Sequence, residues 1–252
     1  MKGNDNEISL SLVQKAEQGD IESMIQVADY IFLNDFYEEK DPELVERGLQ
    51  YYQKAIQAGS LHAMVNCALV YRFSNSVKRD TLKAFRLLRL AAEQGDPCAC
   101  FSLGQIYLDG EGEIPADLEQ AYVWFSKAAM AGNMKAYIAL SDMFKRGDYV
   151  HYDLETSDKL LEIAILVIDS DESPVDYADA CYRYAENLYH GFGCKEDIEL
   201  AKQYYQQATS NYRAAREAGF NIEYYDEAMR DIEYQLELID EKLKDKAEDD
   251  RS

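Results

Sequence analysis

Residues 97–133 read PCACFSLGQIYLDGEGEIPADLEQAYVWFSKAAMAGN, and two helical stripes with a break between them lie in that stretch. Ala99, Leu103, Gly104 and Tyr107 recur at helical spacing and share one face. Gly110 and Gly112 interrupt the stripe, and glycine there permits the positive φ of a tight turn. Asp117 is placed to cap a second helix by accepting hydrogen bonds from its free amides. That helix lines up Ala121, Trp124, Phe125 and Ala128 and stops at Gly132, a left-handed terminator. The stretch predicts a helix–turn–helix pair with one apolar side.

The same pair recurs along the chain. KAIQAGSLHA (54–63), LAAEQGDPCA (90–99) and KAAMAGNMKA (127–136) superpose, with Gly59, Gly95 and Gly132 spaced 36 and 37 residues apart. AEQGD stands at 16–20 and again at 92–96. Asp80, Asp117, Asp153 and Asp197 hold the cap position, followed by Ala84, Ala121, Ser157 and Ala201, then by Ala91, Ala128, Ala164 and Ala208. A fixed period of this size predicts stacked units of about five repeats over residues 5–210, opening on a partial helix at Asn6–Gln18. Ser74 and Ser76 replace the turn glycines of one unit, and Asn34–Asp41 lengthens another turn. IDSDESPVDY (168–177) reads as an inserted surface loop, after which Ala180, Tyr184, Ala185, Leu188, Gly191 and Gly193 resume the pattern.

The order Ala-x3-Leu-Gly-x2-Tyr-x2-Gly-x-Gly, then Asp, Ala, aromatic and Lys-Ala-Ala-x2-Gly, resembles the Sel1-like repeat family, relatives of the tetratricopeptide repeats. The resemblance implies an all-α, right-handed α-solenoid of helix–turn–helix units. It also implies a non-catalytic scaffold or adaptor that brings other proteins together.

Composition narrows the partners. The net charge of −22 opposes nucleic acid phosphates and anionic membrane surfaces, and it favours a basic protein partner. No stretch has the run of apolar residues that crosses a bilayer or makes a signal peptide. Cys67, Cys98, Cys100, Cys181 and Cys194 are odd in number and irregularly spaced, which predicts free thiols in a reducing, cytoplasmic setting.

Beyond residue 210 the period changes. Ile222, Tyr225, Met229, Ile232, Leu236, Ile239 and Leu243 alternate by three and four, so 211–252 reads as a C-terminal helix with an acidic tail. A helix capping the last repeat is the favoured reading, with a monomer as its consequence; a coiled-coil dimer is the alternative.

Catalytic signals are absent from the sequence pattern. His62, His151 and His190 lie in different units, and Cys98-x-Cys100 lacks a second ligand pair, so neither a metal site nor a cofactor is expected. His190 with Cys194 leaves a hydrolase as the least favoured reading. The residues opposite each first helix's core stripe are the expected partner-binding groove: Ile25 and Phe32; Val65 and Arg72; Phe101, Gln105 and Leu108; Ile138, Asp142 and Lys145; Tyr182, Glu186 and Tyr189. Ile25, Val65, Phe101, Ile138 and Tyr182 form an apolar row suited to a peptide or helix. An immunity-type inhibitor covering a basic enzyme or toxin is the second interaction reading.

Overall fold

A computed structural model describes residues 9–32, 41–168, 173–219 and 223–249. Among these, the regular structure is helical, with a single isolated bridge between Glu111 and Ile114. The chain divides into two compact units, Met1–Gly132 and Asn133–Ser252.

The first unit begins with α1 (Leu10–Glu17) and continues with three helix pairs. These are α2 (Ile21–Phe32) with α3 (Pro42–Gln57), α4 (Leu61–Phe73) with α5 (Thr81–Glu93), and α6 (Pro97–Asp109) with α7 (Leu118–Met130). The second unit contains α8 (Lys135–Arg146) with α9 (Leu154–Val167), α10 (Pro174–His190) with α11 (Ile198–Glu217), and a final α12 (Glu223–Asp249).

One aspartate closes each turn twice. The backbone N–H groups of Asp80, Asp117, Asp153 and Asp197 donate to the carbonyls of Tyr71, Tyr107, Phe144 and Leu188 near the end of the preceding helix, at 2.7–3.1 Å. Their carboxylates then accept from Lys83, Gln120, Thr156 and Leu200 in the first turn of the next helix. An aspartate satisfies an orphan amide and favours the positive end of the helix dipole, which is why the period carries this residue. The alanines that follow are packing contacts: Ala84, Ala121 and Ala201, with Ser157 in the fourth place, are fully buried, as are Ala91, Ala128, Ala164 and Ala208. Their small side chains let helices approach closely. At Gly104 the approach is tighter still, because a Cβ there would stand 2.5 Å from the Phe125 ring.

Two expectations differ from the structure. Pro174–Tyr177, read as loop, form the start of α10, because proline at the first helical position costs no intrahelical bond. The second helix of the last pair runs unbroken past residue 210 to Glu217. The lengthened turn at 34–40 and residues 169–172 lie outside the described residues, as does the start of the partial helix before Ser9.

The helix α12 lays Met229, Ile232, Leu236, Ile239 and Leu243 against a cluster that includes Tyr205, Ala208 and Tyr212 of α11, with Ile232 and Ile239 fully buried. The heptad seam therefore faces its own chain. Its first positions, Ile222 and Tyr225, lie among residues whose side chains are not described.

Candidate partner-binding face

The expected groove residues sit on the first helices α2, α4, α6, α8 and α10, but helix stacking claims many of them. Ile25, Phe32, Val65, Arg72, Ile138 and Tyr189 are buried. Phe101, Leu108, Asp142, Lys145, Tyr182 and Glu186 are half-buried, and Gln105 is exposed. The physical reason is that a first helix can pack on its own partner and also on helices of a neighbouring repeat, as α4 packs on α5, α3 and α2. A single core stripe, which is what periodicity reveals, understates the buried arc. Ile25, Val65 and Ile138 consequently serve packing, and Phe101 leans on Phe125 with ring centres 5.5 Å apart. The apolar row is open only at Phe101 and Tyr182.

Polar residues at these positions link successive helices. In the first unit, Asp29 of α2 accepts from Asn66 of α4 at 2.7 Å and from Tyr52 at 2.6 Å, and His62 stands 3.9 Å from the same carboxylate. In the second, Arg183 of α10 donates to Asp142 of α8 at 2.6 Å, and Lys135 pairs with Asp176 at 3.0 Å. Tyr182 continues the series by donating to Asp231 of α12 at 2.6 Å, so α12 receives from α10 the kind of bond that α10 gives to α8. Tyrosine hydroxyls act widely as neutral donors to carboxylates: Tyr205 bonds Glu186, Tyr212 bonds Asp179 and Tyr184 bonds Glu162. Burial, reinforced by these carboxylates, pushes the Tyr184 and Tyr205 hydroxyls far up. A strongly acidic chain thus satisfies carboxylates without spending its scarce cations.

Two substitutions within the repeat pattern escaped the sequence reading. Asp158 lies where α5 and α7 carry Phe85 and Tyr122, and Asn187 lies where α6 carries Ile106. Both are buried, and the Asn187 amide donates to Asp158 at 3.1 Å while its oxygen accepts from Lys145 at 3.3 Å. Comparison of the aligned positions, rather than the apolar pattern alone, is the signal that finds them. Burial raises the Asp158 carboxyl against the opposing bonds from Asn187 and Cys194. A raised folded-state value means that protonation is more favourable in the fold than in the unfolded chain, so this group's contribution declines as pH climbs from the ordinary 3.8 through the raised value. Asp158→Asn keeps an oxygen for the Asn187 amide and is expected to stabilise the protein at pH 7 by about 1 kcal/mol. Urea unfolding of both forms between about pH 4 and 7 checks this: the advantage of the variant must shrink on acidification, and a less stable variant at pH 7 would refute the assignment.

The candidate chemistry is poor. Burial pushes the Cys194 thiol up to about 12, with Asp158 and Glu162 adding repulsion, which is the reverse of an activated nucleophile. His190 stacks on Phe192 at 5.0 Å and faces Glu186 at 3.8 Å. Among the described residues no cluster of His, Cys, Asp and Glu is arranged to hold a metal ion, and no helix is long and apolar enough to cross a membrane.

The Sel1 repeat model matches residues 21–60, 61–96, 99–133 and 178–211, more than half of the chain. The chain belongs to the Sel1 repeat family. The stretch between the third and fourth matches holds α8 and α9, where Tyr149, Ser157 and Asp158 depart from the repeat pattern. An uncharacterized protein of Neisseria meningitidis is 31% identical over 157 residues, 62% of this chain and 31% of its own length. The chain spans about a third of the length of the first curated relatives it matches. A crystal structure of a Sel1 repeat protein from Oxalobacter formigenes superposes with a TM-score of 0.64 at 25% identity, covering 76% of this chain and 73% of that one. The immunity protein Pa5087 from Pseudomonas aeruginosa matches with a TM-score of 0.52 at 18% identity, over 88% and 83% of the two chains, a likeness of fold alone.

Proposed function

We propose that this Sel1 repeat chain is a non-catalytic protein-interaction module, a scaffold or adaptor whose partner is a basic protein. The observation that carries this reading is the charge of −22, carried on repeats whose polar positions are occupied by carboxylates more often than by cations. Such a field accelerates encounter with a cationic partner and makes affinity fall with salt. The same charge favours a second reading, a stoichiometric inhibitor that covers one basic enzyme or toxin. The two differ in partner number.

The folded protein, immobilised and exposed to lysate of its native host at low and high salt, tests both. A basic protein held at low salt and released at high salt is the expected outcome, one dominant partner favouring the inhibitor and several favouring the adaptor. Partners that are uniformly acidic, or none at all from a folded bait, would refute the reading. Adding positive charge at exposed positions of the first unit, Glu22→Lys with Gln105→Lys, is expected to slow association severalfold and flatten the salt dependence while the chain stays folded. Stopped-flow association rates at two ionic strengths measure it.

A further inference from the structure

Three turns in the chain share one backbone course. Gly110, Gly147 and Gly191 begin them at φ 73°, 74° and 67°, and two residues later stand Gly112, Tyr149 and Gly193 at φ 61°, 65° and 75°. Tyr149 is the only non-glycine residue with positive φ among the described residues. An L-residue with a bulky side chain avoids this region, since its Cβ crowds the backbone, and the other two of these turns place glycine there. A residue held in a disfavoured conformation points to a role outside folding. Its side chain is not consumed by the core, since Tyr149 is 54% exposed.

Tyr149 has aromatic company. Tyr152 in the same turn is 64% exposed. Phe192, in the turn between α10 and α11, is 37% exposed. The second turn is pressed onto the end of the first, since a Cβ at Gly193 would meet the backbone of Leu154 and Glu155. Arg146, beside these turns, pairs with Asp148 at 2.6 Å, and Lys159 pairs with Glu155. The Lys145 ammonium lies 5.4 Å from the Phe192 ring centre, so a ring on this edge already receives a positive charge.

We propose that the two adjoining turns of the 133–252 unit, with Tyr149, Tyr152 and Phe192 exposed, form a docking surface for a cationic, arginine-bearing segment of a partner protein. The assignment rests on the basic-partner reading and supplies it with a location. Charge complementarity selects the occupant: the chain's field of −22 concentrates cations at its surface, and tyrosine rings offer faces on which a guanidinium stacks. An acidic or purely apolar segment would gain the rings but meet that field unfavourably.

The test uses the full chain and a fluorescein-labelled nine-arginine peptide, with affinity read by anisotropy at about 50 and about 150 mM salt. Tyr149→Gly and Tyr152→Ser leave the net charge unchanged. Each is expected to weaken binding about three- to fivefold, the contribution of one exposed cation–π contact, with the salt dependence unchanged. Tyr149→Gly is also expected to melt a few degrees higher, because glycine adopts the turn without strain. A stabilised variant with reduced affinity is a pairing that damage to the fold does not produce. Undiminished binding by both variants would overturn the docking surface and leave the basic-partner reading standing. Failure of the unaltered protein to bind the peptide at low salt would overturn both. A lower melting temperature for Tyr149→Gly would overturn the strain on which the assignment rests.

Discussion

Replacing Gly193 by alanine is expected to cost about 3–5 kcal/mol, whereas the same change at Gly59 costs about 1 kcal/mol. Both residues have positive φ, 75° and 89°, and both pay the left-handed preference of an L-residue. Their surroundings separate them. A Cβ on Gly59 finds nothing within 4 Å, while one on Gly193 would stand 1.9 Å from the Leu154 carbonyl oxygen and 2.8 Å from the Glu155 nitrogen. Backbone cannot rotate aside as a side chain can, so the turn between α10 and α11 would have to lift from the start of α9. The contact lies beside a cluster in which Leu161 packs with Tyr184, Leu188 and Tyr205, and lifting the turn loosens that packing as well. Urea unfolding of the two variants measures the difference directly. Equal losses would mean that glycine is present at residue 193 for its φ alone and that the close approach is not tight.

How much of this was legible beforehand differs between fold and face. The helix pairs, the aspartate caps and the buried alanines follow from a period repeated along the chain, because each position meets the same local demand in every unit. The start of α10 was missed since Pro174 and its acidic neighbours imitate a loop, although proline at a first helical position and acids in a first turn serve a helix equally well. The partner-binding face was legible only in part. Periodicity distinguishes core from surface for one helix, but Ile25, Val65 and Ile138 are buried although they lie off the main core stripe, a wider arc than the single-helix pattern encodes. Departures from the period were the more informative signal. Tyr149 in a place where two other turns carry glycine and Asp158 in a place where α5 and α7 carry aromatics each mark something those repeats do not do, while Arg72 shares with Lys145 a place that Leu108 and Tyr189 fill with apolar groups.

Arg72 supplies the second large effect. Its side chain is 6% exposed and that of its partner Glu111, in the turn between α6 and α7, is 11% exposed. Arg72 Nε and Nη2 donate to one Glu111 oxygen at 2.9 and 2.7 Å, and Arg79 holds the other oxygen at 2.8 Å. Burial alone would push the Glu111 carboxyl up, yet hydrogen bonds and charge from both arginines bring it below its ordinary value. A depressed folded-state value contributes stability above the ordinary 4.5, and that contribution is lost as pH falls through the lower value. Glu111→Ala is expected to cost about 3–5 kcal/mol, since it leaves a buried guanidinium without a counter-charge, and Arg72 Nη1 already has no partner. The double change Arg72→Met with Glu111→Leu removes both charges and is expected to recover most of the loss. If the double variant stays as unstable as Glu111→Ala, shape rather than charge holds this turn to α4. Binding decides the remaining question about Arg72, which the sequence placed in the groove. A stable double variant that still takes up a basic partner assigns Arg72 to the repeat stack, and one that loses the partner while keeping its fold returns the α4–α6 edge to the binding face.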